Sequence, residues 1–223
     1  MKKEHFEPGQ KGRIKSSLNN IEFDSNEERE FFEWLLELYK VIGDDKLYAP
    51  DGIANFGYHT ESYLLADSVE VEYYKLLKTK AKRATKAILQ SLKYTPDFIF
   101  YLPEKFAIYF RDKLNIFPVN LTVLRNHSTY IVDVKGVWGG RYNDDKYFSA
   151  IRKIVLETRG DFVNKVVPVK LFKKTFCPES LRYMKNRKVL TERKNCIGLP
   201  TAQEFAAKVD EYYRKFMELA KDE

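Results

Sequence analysis

The segment STYIVDVKG, residues 128–136, carries a buried-strand pattern of apolar and β-branched residues that ends at Gly136. Successive residues of a strand point to opposite faces, so Asp133 and Lys135 project together while Val134 points into the core. Asp-x-Lys occurs three times in the chain. Only this copy stands in an apolar strand, where an acid and a lysine are costly to bury without partners. The context marks Asp133 and Lys135 as a candidate chemical site, with a structural ion pair at the strand end as the alternative.

A second acidic residue, Asp97, lies in YTPDFIFYL, residues 94–102, whose aromatic and β-branched residues predict another strand. Hard divalent ions such as Mg²⁺ prefer carboxylate and carbonyl oxygens. The predicted ligands of one ion are therefore Asp97, Asp133 and the backbone carbonyl of Val134. Such an ion would polarise a phosphodiester and help to generate hydroxide. Lys135 beside it would orient the attacking water or offset charge that develops on the phosphate.

A helix is predicted ahead of these strands. In DSNEEREFFEWLLELYK, residues 24–40, Ser25 and Glu28 form a capping-box pattern, and an apolar stripe at helical spacing follows to about Lys40. At about 100° per residue, Glu28 lies on the apolar side and faces the sheet. Two interpretations stay open: Glu28 completes the metal site, or it only closes the capping box and its neighbour Glu27 supplies the carboxylate.

The remaining pattern favours an α/β or α+β domain with a central mixed sheet and helices on its faces. The predicted elements are a long loop over 43–68, a strand over 68–77, a short basic helix over 78–92, a helix over 147–157, a strand over 165–173 and a C-terminal helix that packs on the body. Pro168 predicts an edge or a bulge for the strand that contains it. The capping box Thr201 with Glu204 marks the start of the last helix.

Composition favours one folded domain. The chain has 223 residues, 44% of them hydrophobic, which is enough for one sizeable core. We expect this domain over 21–223, with insertions near 43–93 and 103–129, after a basic arm of low order over 1–20. Cys177 and Cys196 cannot form a disulfide scaffold, so a reducing, cytoplasmic compartment fits best. No apolar stretch approaches the roughly 18–20 residues of a membrane helix, so no membrane partner is expected.

The charge balance indicates a polyanionic partner. The formal net charge is +7, which favours nucleic acid. The seven basic residues between Lys75 and Lys93 are not interrupted by any acid. The candidate DNA-binding residues are Lys80, Lys82, Arg83, Lys86, Arg141, Lys146 and Lys153. Solvated surface charge is the alternative for each of them.

Three motifs together resemble the PD-(D/E)xK nuclease superfamily, and within it the phage endonuclease I type of Holliday-junction resolvase. They are Ser25-x-x-Glu28, Tyr94-Thr95-Pro96-Asp97-Phe98 and Val132-Asp133-Val134-Lys135-Gly136-Val137-Trp138. The resemblance implies a restriction-endonuclease-like core and a Mg²⁺-dependent endonuclease, with Mn²⁺ as a substitute. Asp97 and Asp133 would be metal ligands, Lys135 the catalytic lysine and Glu28 the helix carboxylate. The interval between the two aspartates is longer than the family's hairpin, so residues 103–129 must form an inserted excursion.

The resemblance also implies DNA as the partner, a homodimer as a candidate assembly, and a phage origin with the host cytoplasm as location. The expected activity is hydrolysis of phosphodiester bonds in branched or distorted DNA, by a resolvase or a nicking enzyme. Two alternatives remain. One is a catalytically silent nucleic-acid-binding protein, and the other is a nuclease that acts only with a partner in recombination or packaging.

Overall fold

The computed structural model describes residues 14–15, 21–43, 56–119, 127–136, 142–186, 189–194 and 196–220. The elements in chain order are β1 (Ile14–Lys15), β2 (Glu22–Phe23), α1 (Asn26–Ile42), β3 (Phe56–Tyr58), β4 (Tyr63–Ala66), β5 (Val69–Leu76), β6 (Ala81–Leu89), β7 (Leu92–Tyr94), β8 (Phe98–Pro103), α2 (Glu104–Tyr109), a π-helical segment (Phe110–Leu114), β9 (His127–Val134), α3 (Tyr142–Arg159), β10 (Val163–Val166), α4 (Pro168–Lys174), α5 (Glu179–Arg182), β11 (Tyr183–Asn186), β12 (Val189–Glu192) and α6 (Ala202–Leu219). Among the described residues, no helix is both long enough and apolar enough to cross a membrane.

The central sheet has four strands in the order β10, β9, β8 and β3. Strands β9 and β10 run parallel, whereas β8 is antiparallel to both β9 and β3. The sheet is therefore mixed, and the expectation of a mixed α/β or α+β fold with a mixed sheet is confirmed at this level. The predicted strand over 128–136 is also confirmed as β9, which ends two residues before Gly136.

Alternate residues of β9 belong to two hydrophobic cores, one on each face of the sheet. Val132 and Val134 belong to a large core that also contains the apolar faces of α1, α2 and α6. Ile131 points the other way, into a smaller core with α3 residues such as Phe148 and Val155. The strand pair β4–β7 covers this second core through Tyr63. Helices thus pack on both faces of the sheet, and β9 lies between the two cores.

Helix α1 forms where the sequence predicts it. The Ser25 hydroxyl caps it by accepting a hydrogen bond from the Glu28 N–H, 3.2 Å away. Gly43 ends it in the left-handed conformation, with φ 68°, which glycine adopts without steric cost. The buried face is large and apolar and consists mainly of Phe31, Phe32, Trp34, Leu35, Leu38 and Tyr39. The capping and the apolar stripe together fix which carboxylates α1 brings toward the sheet.

The prediction of a basic helix over 78–92 is wrong, because most of this segment is strand β6. Ala, Lys and Arg favour helices, but helix propensity is a weak preference that tertiary context overrides. The sequence predicts strand β5, whose backbone N–H and C=O groups need hydrogen-bond partners. Strand β6 supplies them: the pairing begins with Leu76 opposite Ala81 and ends with Val69 opposite Leu89. The predicted loop over 43–68 is also wrong in its later part, where β3 and β4 lie. Each of these strands is too short to show a periodicity of its own.

The predicted strand over 165–173 is wrong beyond Val166, because Pro168 occupies the first turn of helix α4. Proline lacks an N–H and has a φ preset for the first helical turn, so at this position it starts a helix and does not mark a strand edge. Later in the chain the C-terminal helix is confirmed as α6, and both hydrogen bonds of the capping box between Thr201 and Glu204 are present. The predicted helix over 147–157 is confirmed as part of α3.

The expectation of reduced cysteines is not met, because Cys177 and Cys196 form a disulfide. The two residues are separated by 19 positions, but the hairpin β11–β12 turns the chain back between them. Of the segments named above, the basic arm over 1–20 lies outside the described residues except for β1, and so do residues 137–141. The excursion over 103–129 contains α2 and the π-helical segment.

Candidate active site

Asp97 and Asp133 lie side by side at one end of the central sheet. Phe98 pairs with Val132 in the antiparallel ladder of β8 and β9. The residue before Phe98 and the residue after Val132 are therefore neighbours across the two strands. The Val134 N–H donates a hydrogen bond to Asp97 Oδ2, 2.6 Å away, and fixes the carboxylate against the end of β9. Strand register thus explains how two distant aspartates reach one site.

Asp133 is buried and paired with Lys135. Its side chain is 6% exposed and forms an ion pair with Lys135 Nζ through Oδ2. The ammonium group donates a charge-assisted hydrogen bond to this oxygen. Burial and then the negative charge of Asp97 raise the pKa of Asp133 to about 6. A carboxylate in these surroundings gains from a nearby cation, because the cation offsets the cost of burying its charge.

Lys135 continues from β9 beside β10, because its N–H donates to the Val166 carbonyl, 2.8 Å away. Its side chain is 38% exposed, and Nζ lies 5.8 Å from the centre of the Phe148 ring. Burial lowers the pKa of Lys135, but the carboxylates of Asp133, Asp97 and Glu28 outweigh it, so the net pKa is raised. The amine therefore carries a positive charge at neutral pH while still facing solvent. The sequence-based prediction that Asp133 and Lys135 project together agrees with this geometry.

Tyr94, which no sequence pattern marked as a site residue, also belongs to the site. Its hydroxyl is buried beside the carboxylate of Asp133. Burial, followed by the charges of Asp133 and Asp97, raises the pKa of Tyr94 well above its usual range. A buried hydroxyl and a buried carboxylate, each with a raised pKa, thus lie together at this end of the sheet.

Both oxygens of Glu28 are already occupied by hydrogen bonds. The Ser25 hydroxyl donates to Oε1 at 2.7 Å. The Tyr58 hydroxyl donates to Oε2 at 2.6 Å, and the Asp24 N–H donates to the same oxygen at 3.1 Å. Glu28 is buried and faces the site, as the helical spacing predicts. Its carboxylate closes the start of α1 and joins it to β3, as the capping-box interpretation requires.

Glu27 reaches the end of β9. A Cβ atom at Gly136 would lie 2.7 Å from Glu27 Oε1, so the Glu27 carboxylate lies close to the backbone of Gly136 and would have to shift if the glycine were replaced. Glu27 is half-buried, next to the residue that follows Lys135 in the chain. Helix α1 therefore brings two neighbouring carboxylates to the sheet. One is held by Ser25 and Tyr58, and the other lies against the backbone of Gly136.

His59 also lies at the site, although its isolated position in the sequence gave no sign of this. Its Nε2 is 3.4 Å from Asp97 Oδ1, and its N–H donates to the Asp97 carbonyl, 3.2 Å away. The ring stacks on Tyr58 with 4.1 Å between centres. The hydrogen bond to Asp97 raises the pKa of His59. Two consecutive residues at the end of β3 therefore contact the site: Tyr58 is hydrogen-bonded to Glu28, and His59 is hydrogen-bonded to Asp97.

The residues present fit a hard cation. The predicted ligands Asp97 and Asp133 are adjacent carboxylates, Asp133 is buried, and carboxylate oxygens are the ligands that hard cations prefer. Among the described residues, one group of three possible ligands has its ligand atoms within 4.8 Å of one another, namely Asp24, Glu28 and His59. Glu28 therefore belongs to this second cluster and also contributes to the charge around Asp133. The structure brings all four predicted catalytic residues to one end of the sheet.

Four of the predicted DNA-binding residues lie on a β-ribbon formed by β5 and β6. Strand β5 is exposed along its whole length. Side chains of residues that pair across two strands lie on the same face. Lys82 pairs with Lys75 and Lys86 pairs with Val71, so these four side chains share one face of the ribbon. Arg83 lies on the other face and forms an ion pair with Glu72. Lys80 is at the turn, where its carbonyl accepts a hydrogen bond from the Leu77 N–H.

The remaining predicted DNA contacts divide between α3 and the undescribed part of the chain. Lys146 and Lys153 are exposed on α3. Arg141 lies outside the described residues.

No protein-family model matches the chain, and no curated protein or solved structure matches it either.

Proposed function

We propose that the protein is a metal-dependent DNA endonuclease that hydrolyses phosphodiester bonds, on branched or otherwise distorted DNA. The observation that carries the proposal is the adjacency of two carboxylates at one end of the central sheet: Asp133, which is buried and paired through Oδ2 with the Lys135 ammonium group, lies beside Asp97 in the ladder of β8 and β9. A single acid with a lysine would form an ordinary ion pair. The second acid favours a cation site instead, because one ammonium group does not neutralise two adjacent carboxylates.

Asp97 and Asp133 would hold the cation, together with the backbone carbonyl of Val134. A Mg²⁺ or Mn²⁺ ion bound there would act as a Lewis acid toward a phosphodiester and make a water molecule more nucleophilic. Lys135 would neutralise charge on the scissile phosphate, because its raised pKa keeps the amine protonated and its side chain is partly exposed. The hydrogen bond from the Val134 N–H would keep Asp97 oriented.

The role that the resemblance gives to one helix carboxylate would be shared by two residues, with Glu28 as the structural acid and Glu27 as the acid that contacts the ion or water. Both oxygens of Glu28 accept hydrogen bonds, and its carboxylate would position α1 and Tyr58. Glu27 lies against Gly136 with no such set of bonds described for it, so it is the better placed of the two to contact an ion or a water molecule. The central strands with helices on both faces support a restriction-endonuclease-like core as the scaffold for this site.

The ribbon β5–β6 supports DNA as the substrate. Lys75, Lys82 and Lys86 share one exposed face, and no acid is on that face of the ribbon. Lys75 stands directly opposite Lys82, and like charges at such positions destabilise a strand pair unless an anion compensates them. A two-stranded ribbon also fits the major groove of a duplex, which is about 12 Å wide. The phosphate backbone is therefore a suitable partner for this face.

The test is cleavage of supercoiled plasmid, linear duplex and a synthetic four-way junction, with wild type and Lys135→Ala at equal concentrations. We expect wild type to cut in Mg²⁺ and not in EDTA, and Lys135→Ala to cut at least about 100-fold more slowly. Lys40→Ala, which changes an exposed lysine in the last turn of α1, is the matched control and should retain the activity. Cutting by Lys135→Ala at the wild-type rate would refute the proposed site. The preferred substrate would separate a junction resolvase from a general nicking enzyme.

A second candidate function is binding of nucleic acid without catalysis. It is favoured by the hydrogen bonds that already involve both oxygens of Glu28 and both oxygens of Asp97. Such a protein would bind DNA equally well in EDTA and in Mg²⁺ and would cut none of the three substrates in either Mg²⁺ or Mn²⁺. If the protein cuts DNA only after a partner protein is added, the proposed active site still stands and the partner controls its activity.

A further inference from the structure

Two open clefts lie next to each other beyond the proposed active site. The first has a volume of about 450 Å³ and extends from Asn115 along β10 to Gly136. The second has a volume of about 470 Å³ and lies between α4 and α6. Leu114 and Lys174 line both, so the two clefts adjoin one another. Because Gly136 lines the first cleft and directly follows Lys135 in the chain, that cleft lies next to the proposed site.

The lining of these clefts is strongly basic. The first contains Lys165, Lys170 and Lys174 and no acidic residue. The second contains one acid, Glu211, and that carboxylate is paired with Lys215 Nζ at 2.6 Å. The other lysines of the second cleft are Lys113, Lys173, Lys174 and Lys208. We call the surface formed by the two clefts the lysine channel.

Helix α4 supplies the central lysines of the channel. Lys170, Lys173 and Lys174 are spaced at i, i+3 and i+4, so they share one face of the helix. Pro168, Leu171 and Phe172 are buried on the other face. The start of the helix at Pro168 is therefore what presents three lysines together. A strand through this segment would have sent neighbouring residues to opposite faces of the sheet.

We propose that the lysine channel holds the phosphate backbone of a single-stranded nucleic acid segment that leaves the active site at Gly136. This inference rests on the proposed function and names the form of its substrate. Phosphates require positive charge without fixed geometry, and lysine is a point charge that suits them. A flexible single strand can follow a concave surface, as in proteins whose basic grooves track single strands. Lysines that line the channel contact phosphates without reading bases, so binding is independent of sequence.

The test compares tailed and blunt duplexes by fluorescence anisotropy in EDTA. The wild type is measured against Lys170→Gln/Lys174→Gln, which removes two charges from the channel, and against Lys40→Gln/Arg214→Gln, which removes two charges outside it. The tailed duplex carries a single-stranded extension of about 12 nucleotides, within the site sizes known for single-strand grooves. All four exchanged residues have exposed side chains, so the variants are expected to fold, and circular dichroism checks this.

We expect the channel variant to bind the tailed duplex roughly fivefold to tenfold more weakly than wild type. A plot of log binding constant against log salt concentration should be less steep by about 1.4, since each of the two lost phosphate contacts to a single strand contributes about 0.7. Binding of the blunt duplex should change less than twofold, and the control variant should show the wild-type preference for the tail. Equal losses on tailed and blunt duplexes, or an unchanged preference for the tail, would overturn the proposal. Because binding is measured without metal, this outcome is independent of cleavage: absence of cutting by wild type would refute the nuclease and leave the channel result intact.

Discussion

The Tyr58 hydroxyl donates a hydrogen bond to Glu28 Oε2 over 2.6 Å, and this bond ties strand β3 to the first turn of α1. Burial and then the hydrogen bond to Glu28 raise the pKa of Tyr58, so the hydroxyl keeps its proton and remains a donor. Ser25 and the Asp24 N–H also donate to the Glu28 carboxylate, so each of its oxygens accepts at least one hydrogen bond. Under the proposed function, the two neighbouring acids of α1 have different roles, structural for Glu28 and chemical for Glu27.

These roles predict opposite effects of two otherwise similar substitutions. Glu27→Gln should lower Mg²⁺-dependent cleavage by roughly 10–100-fold and leave the free energy of unfolding within about 0.5 kcal/mol of wild type. Glu28→Gln should lower the free energy of unfolding by about 1–2 kcal/mol, because it weakens the cap and the bond to Tyr58. Urea unfolding and single-turnover cleavage measure the two effects. An active Glu27→Gln protein beside an inactive but stable Glu28→Gln protein would reverse the assignment.

Asp133 predicts a pH dependence of stability in metal-free protein. Burial and the charge of Asp97 raise the pKa of Asp133 to about 6, whereas an aspartate in the unfolded chain titrates near about 3.9. Between these values the folded protein holds a proton that the unfolded chain has lost. The free energy of unfolding therefore falls as the pH rises through this window.

The matched variant is Asp133→Asn, which removes the titrating group and leaves Lys135 able to reach solvent. In EDTA we expect it to be more stable than wild type near pH 7.5 and no more stable near pH 4, where wild-type Asp133 is also neutral. Urea unfolding at the two pH values provides the comparison. If wild type is the more stable protein at the higher pH, the Asp133–Lys135 ion pair outweighs the cost of burial, and the carboxylate does not need a cation.

His59 reports directly on its contact with Asp97. The hydrogen bond to Asp97 raises the pKa of His59, and burial opposes it only in part. We expect Asp97→Asn to return the pKa of His59 to its ordinary value, and Asp24→Asn to change it less. The proton resonances of the imidazole, followed by NMR over the range from about pH 5 to about pH 8, measure this. A His59 titration that is unchanged in Asp97→Asn would show that the two side chains do not interact in solution.

The two faces of the ribbon predict different effects on DNA binding. Lys75→Gln/Lys82→Gln/Lys86→Gln should weaken binding to duplex and reduce the salt slope by about 2.7, since each phosphate contact contributes about 0.9. The opposite face offers Glu72→Gln/Arg83→Gln as a control without a change in net charge. We expect this control to bind like wild type. Equal loss in both variants would mean that the ribbon acts through its fold, and no loss in either would remove it from the interface.

Much of the site follows from local sequence patterns. The alternation in β9 predicts that Asp133 and Lys135 project together, and the capping box with its apolar stripe predicts α1 and the inward orientation of Glu28. These predictions depend on neighbours in the chain, and the structure agrees with them. The sequence also predicts Asp97 as a ligand, but the register of Asp97 opposite Asp133 depends on the β8–β9 pairing, which no local pattern in the sequence reveals.

Other parts of the site depend on contacts between distant segments. Tyr58 and His59 belong to or follow a three-residue strand, and Tyr94 ends another, so neither strand is long enough for a periodicity. Strand β6 has a helix-forming composition that its pairing with β5 overrides. Pro168 is compatible both with a strand edge and with the start of a helix, and only the packing of Leu171 and Phe172 selects the helix. The lysine channel depends on that choice and therefore could not be predicted.

The most direct measurement of the central claim is single-turnover cleavage of a four-way junction in Mg²⁺ by wild type, Asp133→Ala and Asp24→Ala. Asp133 belongs to the proposed site, whereas Asp24 belongs to the neighbouring group of Asp24, Glu28 and His59. The account predicts that Asp133→Ala loses at least about 100-fold in rate, while Asp24→Ala stays within roughly threefold of wild type. Full activity of Asp133→Ala, with or without loss in Asp24→Ala, would contradict it.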